Sequence, residues 1–447
     1  MTQNEKILNA LREHIDFYNE TVPAGIEKNR KGDAKITVTD KNGAPIPDAT
    51  VKLVQKNHEF RFGANLLMLD EFESEEKNEK YRKYFSELFN IATLPFYWNT
   101  LEPERGKPRY PKDSPKIYRR PAIDLCMEFC EENGIEPREH ALAYDAHFPE
   151  WLRGLSTDEV KRELERRYSE ISERYADRIP TIEVTNEMGW AKGVTSFYDE
   201  PDFIEWCFKT AEKHFPNNEL CINESSGMAW IDNCRTSARY YAYTEAAMLK
   251  GARIDAVGLQ YHIFTEKASE LALRFLDMEN LYRKMNLYSN LGKPLQITEI
   301  TIPSYSWEKE DEEVQAEIIE KLYSLWFSHP NVEQIIYWNM VDGYAHLWTQ
   351  DQAAIKASQG NMTVGENIYH GGLLRYDLTT KPAYLKIKEL LTERWHTECE
   401  LLTDADGLCS FRGFYGDYDV EITADGKTER KSLSLSKNKN NEFILVQ

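Results

Sequence analysis

In TIEVTNEMGW, residues 181–190, the β-branched Ile182, Val184 and Thr185 lead directly to Asn186 and Glu187. Such a run reads as a strand. A strand that ends on an amide and a carboxylate raises the question of what they serve. Seven other short, mostly apolar runs resemble it: 59–67, 91–98, 137–144, 219–225, 255–263, 294–301 and 333–340. Near-continuous apolar runs suit strands covered on both faces, as in a parallel sheet. Charged stretches with helical periodicity lie between most of them, KRELERRYSEISERYADR (161–178) and DEEVQAEIIEKLYSLWFSH (311–329) being the clearest. Strand and helix alternating eight times predicts an α/β fold, a (β/α)8 barrel over residues 59–397.

The flanks read differently. Residues 1–33 open with an amphipathic, charged helix. Two alternating strands around a Gly- and Pro-containing turn fill residues 34–58. Strand patterns return over 398–447. Neither flank has enough strands to close a core alone. Together they predict one discontinuous β-sandwich beside the barrel. As a glycan-binding module it needs Phe411, Phe414 and Tyr415 exposed on one face; as a brace it hides them.

Bulk composition narrows the partners. The 447 residues carry a formal net charge of −20, which disfavours nucleic acid and anionic membranes. No run approaches the ~20 apolar residues of a membrane span. The N-terminal stretch lacks the apolar centre of a signal peptide, so a cytoplasmic location is expected. Seven scattered cysteines without metal-type spacing read as free thiols. The 25 Tyr and 10 Trp suit either a core or a surface that stacks on sugars.

A barrel carries its chemistry at the C-terminal ends of its strands. There the chain offers Tyr97 and Trp98 after the second run, and His140, Tyr144, Asp145 and His147 along the third. Asn186 and Glu187 follow the fourth, Asn223 and Glu224 the fifth, and Gln260, Tyr261 and His262 the sixth. Glu299 ends the seventh and Trp338 the eighth. Glu187 and Glu299 stand on runs that face each other across the mouth. Two carboxyls about 5–5.5 Å apart are the equipment of a retaining glycosidase, one giving a proton and one attacking the anomeric carbon. Glu224 is the rival for either role. A metal site would draw on His140, Asp145, His147 and His262, but that spacing matches no zinc pattern, and neither metal nor cofactor is expected.

Ordered motifs then carry a resemblance. LEPERGKPRY (101–110), REHALAY with FPEWL (138–152), EVTNE (183–187), AVGLQYH (256–262), QITEI (296–300), IIYWNMVDGYAHLW (335–348) and GLLRYDLTTKPAY (372–384) resemble successive motifs of the family 10 glycoside hydrolases, the endo-β-1,4-xylanase family. CINES (221–225) sits where that family has Y-I-N-D-Y. The resemblance makes Glu187 the acid/base and Glu299 the nucleophile. Asn186 then contacts the 2-OH of the sugar, His262 supports the nucleophile, and Tyr97, Trp98, His140, Tyr144, Asp145, His147, Gln260, Tyr261, Trp338 and Trp348 shape the binding region. It implies a carbohydrate partner and no cofactor.

The departures fall on the non-reducing side. Where the family has the Glu, Asn and Lys of E-N-x-M-K-W, this chain has Thr93, Leu94 and Tyr97. The family's Trp-His…Gln becomes Tyr144, Asp145 and His147. The expectation is a retaining β-glycosidase for xylan-type or related oligosaccharide. A different β-glycoside, or carbohydrate binding without catalysis, is the alternative. The long loop 341–382, with His346 and Trp348, is expected to wall the cleft and favour short chains over polymer. Sugar identity, endo or exo action and oligomeric state are left open.

Overall fold

The computed structural model describes residues 1–189, 193–349 and 351–447. β1 (Lys31–Thr39) and β2 (Thr50–His58) precede eight parallel strands. These are β3 (Arg61–Asn65), β4 (Ile91–Pro95), β5 (Glu136–His140), β6 (Thr181–Asn186), β7 (Glu219–Glu224), β8 (Ala256–His262), β9 (Leu295–Thr301) and β10 (Val332–Tyr337). Each pairs with the next, and β10 returns to β3 with Gln334 opposite Arg61 and Tyr337 opposite Ala64. The closed ring is the expected barrel. Every residue of β4, β6 and β9 is buried, which is why their apolar runs show little alternation.

A helix follows each strand and covers the ring. Thr157–Tyr175 shows why these segments fold as they do. Ser156 and Glu159 form a capping box, the Ser156 N–H donating to Glu159 at 2.8 Å. Val160, Leu164, Arg167, Tyr168, Ile171 and Tyr175 then recur on one buried face. The buried Arg167 guanidinium reaches the carbonyls of Phe96, Ala141 and Leu142, and so ties the ends of β4 and β5 to this helix.

The two flanks meet as predicted. β11 (Glu398–Leu402), β12 (Leu408–Phe414), β13 (Gly416–Ala424), β14 (Lys427–Leu435) and β15 (Glu442–Val446) come from the C-terminal end. One sheet runs β12-β1-β15 and the other β11-β2-β13-β14. Both chain ends therefore contribute to each sheet. Ile36, Val38, Val51, Leu53, Val420, Ile422 and Leu435 fill the space between. Phe411 and Phe414 are buried, and the Phe414 ring lies 6.2 Å from Phe327 of the barrel. Hidden aromatics fit a brace. No helix among the described residues is long and apolar enough to cross a membrane.

One residue fastens the N-terminal helix Ile15–Arg30 to the barrel. The buried Arg30 guanidinium donates to the carbonyls of Phe327, His329 and Val332 and lies 4.5 Å from the Phe60 ring. These carbonyls end the helix Lys309–Ser328 and begin β10. Arg30→Met keeps most of the volume and strands the three acceptors. The variant is expected to lose about 3 kcal/mol of unfolding free energy in urea titration, since hydrogen bonds to a charged group are each worth ~1.5–3 kcal/mol.

Candidate active site

A cavity of about 900 Å³ opens at the C-terminal ends of the strands, and Glu187 and Glu299 both line it. Gln260 of β8 links them. Its Nε2 donates to Glu187 Oε1 and to Glu299 Oε1, each at 3.0 Å, and to Asn186 Oδ1 at 3.1 Å. The two carboxylate oxygens are therefore no farther apart than two hydrogen bonds laid end to end. This is the close spacing of a retaining pair rather than the wider gap that an inverting pair leaves for water.

Local backbone geometry creates this meeting. The register between β8 and β9 shifts at Thr298, so that Gln260 stands opposite Glu299. The Thr298 hydroxyl donates to Asn223 Oδ1 at 2.7 Å and fixes that amide. Asn223 Nδ2 is thereby turned to Glu299 Oε1 and Asn186 Oδ1, both at 3.0 Å. Glu187 leaves β6 with φ at 54°, a left-handed conformation unusual for a residue other than glycine. The turn aims its carboxyl across the ring.

The two acids sit in different surroundings. Burial pushes the Glu187 carboxyl up to about 7, and the nearby charge of Glu299 adds to the shift. Hydrogen bonds from Tyr144, at 2.5 Å, and from Gln260 act in the opposite direction. A carboxyl near 7 is poised to hold a proton and release it at neutral pH. Among the described residues, Glu299 accepts from the amides of Asn223 and Gln260 and lies 3.3 Å from His262 Nε2. His262 Nδ1 lies 2.9 Å from the Thr301 hydroxyl, which fixes the ring.

His140 sits below them. Its Nδ1 is 2.8 Å from Glu183 Oε1 and its Nε2 3.1 Å from the Tyr97 hydroxyl. Burial acts to lower the His140 pKa, but the Glu183 carboxylate outweighs it and the net shift is upward. His140, Glu183 and Glu299 bring potential metal-ligand atoms within 4.8 Å of one another. His140 Nδ1 already faces Glu183, so hydrogen bonding and ion pairing occupy these atoms. Trp338 closes the floor edge-on to His140 and His262, with centroids 5.4 and 5.9 Å away. Tyr97, which packs with Trp338 and Leu67, forms a cluster with Tyr144 and His147, His147 lying 4.6 Å from Tyr97 and 4.7 Å from Tyr144.

Of the expected site residues, Tyr97, His140, Tyr144, His147, Asn186, Glu187, Gln260, His262, Glu299, Trp338 and Trp348 line the cavity. Three do not, and the expectation for them is corrected. Tyr261 lies between two inward residues of β8, so it points outward and packs on Phe275 and Trp326. Trp98 is buried against Phe148 and Trp151, with Nε1 donating to Glu102 at 2.7 Å. Asp145 accepts from the Thr195 hydroxyl at 2.5 Å and from the Val194 N–H, and so anchors the segment after β6. The rival Glu224 accepts from Tyr243 at 2.5 Å, Ser225 at 2.7 Å and Gly189 at 2.9 Å, as a strut outside the cavity wall. Arg119, Arg120, Phe264 and Glu366 line the cavity from loops and were not expected from strand ends.

A (β/α)8 barrel with two carboxyls linked by one amide at its mouth has the architecture of a glycoside hydrolase. The glycosyl hydrolase family 10 model matches residues 54–389, and the chain belongs to that family. It is 27% identical over 418 residues to the anti-sigma-I factor RsgI6 of Acetivibrio thermocellus, covering 92% of this chain and 47% of that protein. It is 24% identical over 434 residues to endo-1,4-beta-xylanase 1 of Arabidopsis thaliana, covering 94% and 39% respectively. The chain thus spans less than half the length of these two relatives. Among solved structures, xylanase 10B from Thermotoga petrophila in complex with xylobiose superposes with a TM-score of 0.58 at 22% identity, over 75% of this chain and 95% of that one.

Tyr144 donates to Glu187 and thereby stabilises its anion. Tyr144→Phe removes that donor and raises the Glu187 pKa further. The limb of kcat/KM that falls as pH rises through about 7 is then displaced to higher pH, as a pH–rate profile on an aryl β-glycoside will read.

Proposed function

We propose that this chain hydrolyses β-1,4-linked xylan-type oligosaccharides with retention, through Glu187 as acid/base and Glu299 as nucleophile. The observation that carries the reading is the shared Gln260 donor, which holds both carboxyls within reach of one anomeric centre. In the first step the Glu187 proton passes to the leaving glycosidic oxygen while a Glu299 oxygen forms the bond to the anomeric carbon. In the second, Glu187 takes a proton from water, and that water displaces Glu299. Asn186 turns its carbonyl oxygen to Gln260 and Asn223, which leaves its Nδ2 for a sugar hydroxyl. Trp338 offers an aromatic floor.

His346, Trp348 and Glu366 of the loop after β10 contribute to the cavity wall. A walled cavity of this volume suits a short oligosaccharide better than an open polymer. The likeness to a protein named as an anti-sigma-I factor, not as a hydrolase, favours a second reading, carbohydrate binding without turnover.

Wild type and Glu299→Ala, incubated with xylotriose through xylohexaose and followed by proton NMR, decide between them. The wild type is expected to release the β-anomer first. Glu299→Ala is expected to fall by about four orders of magnitude or more. An α-anomer as first product overturns the retaining assignment. Binding without turnover by the wild type supports the non-catalytic reading.

A further inference from the structure

Three buried arginines away from the cavity have a carboxylate or several carbonyls as partners, although Nε and Nη1 of Arg138 have no acceptor. Arg138 pairs with Glu183 at 2.6 Å, and Arg30 and Arg167 each donate to three carbonyls. Arg119 and Arg120, adjacent in the loop before the helix Ile123–Asn133, are only 1% and 5% exposed, and both line the cavity. Arg119 donates to Asn339 Oδ1 at 3.1 Å and to the Tyr344 carbonyl. Arg120 donates to the Arg119 carbonyl at 2.8 Å and lies 4.0 Å over the Tyr97 ring. The Nε of each is buried without an acceptor, and no carboxylate lies within ion-pair distance of either guanidinium among the described residues.

The neighbours do not remedy this. Glu366 is in the same wall but accepts from Asn339 at 3.1 Å and from the His346 N–H at 3.2 Å. His346 is pushed down to about 3, by burial first and then by the two arginines, so it adds no charge. Burial pushes Arg120 down to about 10, which leaves it a cation at neutral pH. The two guanidiniums thus face the cavity without a direct ion pair among the described residues, and Glu366 acts on them only from beyond ion-pair distance. Buried charge without a partner is costly, and a planar fork matches a carboxylate.

We propose that Arg119 and Arg120 receive the carboxylate of an acidic sugar, so that the substrate is a β-linked oligosaccharide bearing a uronic acid. The inference rests on the glycosidase reading and names its substrate class. Arg120 covers Tyr97, which stands where the family resemblance places a lysine of the non-reducing side. The acidic unit therefore lies on that side of the cut. The pair also accounts for the rewritten wall: a lysine is absent, and two guanidiniums stand beside the phenol that replaces it.

The test uses Glu299→Gln, which keeps ligands intact, and isothermal calorimetry. Three ligands are compared: xylo-oligosaccharides bearing one glucuronic acid, the same molecules with that acid as its methyl ester, and undecorated xylo-oligosaccharides. The acid is expected to bind at least about tenfold more tightly than the ester, and Arg120→Met added to Glu299→Gln is expected to abolish the difference. Equal affinity for acid and ester, or no binding of the acid, overturns the proposal, and this comparison needs no arginine variant to fold. Wild-type turnover is measured in parallel. Acid-selective binding without hydrolysis of any ligand overturns the glycosidase reading and leaves the anion clamp standing.

Discussion

The site is organised from beneath by one buried carboxylate. Burial works to keep Glu183 protonated, but His140 and Arg138 overcome it and hold the group ionised. Arg138 lies 2.6 Å from one oxygen and His140 2.8 Å from the other. From this anion the order spreads upward. His140 passes it to the Tyr97 hydroxyl, and Asn223, 3.2 Å from Glu183, passes it to Glu299 and Asn186. Each group in the mouth is thus oriented by a partner one layer deeper. A buried ion pair is a poor source of net stability, but it resists rearrangement once every member is engaged. That rigidity holds two carboxyls in place a few ångströms apart.

The machinery and the wall around it have different characters. The machinery stands on strand ends, where a β-bulge and one left-handed residue set directions to within a hydrogen bond. The wall comes from loops that carry aromatic rings, two guanidiniums and a buried Glu366. Loops accept substitution and insertion more readily than barrel strands. A chain that keeps the two glutamates, Asn186, His262 and Gln260, yet exchanges Lys for Tyr97 and Trp for Tyr144, fits that division. The placement of the two carboxyls and the lining of the cavity are set by separate parts of the fold.

This division also explains what could be read from sequence. The eight apolar runs became the eight barrel strands, because burial on both faces leaves an uninterrupted signal. Glu187, Gln260, His262 and Glu299 were legible because polar residues that end such runs have few other purposes. Tyr261 was misplaced because a run of polar and aromatic tips was read as one cluster, whereas a strand turns alternate residues to opposite sides. Trp98 and Asp145 follow their strands by a residue or more, beyond the reach of strand parity, and each found a partner inside the protein. Arg119 and Arg120 gave no periodic signal, since only the folded loop brings them to the cavity. The pairing of the two flanks was legible from need: neither had the strands to bury its own apolar face.

That pairing has a consequence for how the chain is made. β1 is bordered by β12 and β15, and β2 by β11 and β13. β1 and β2 leave the ribosome before the barrel, yet every strand beside them follows it in the chain. At ~5–20 residues per second the barrel takes on the order of tens of seconds to emerge in between. Throughout that interval β1 and β2 present unpaired edges and one apolar face each to solvent or to a chaperone. The sandwich therefore closes only after all eight barrel strands have been made.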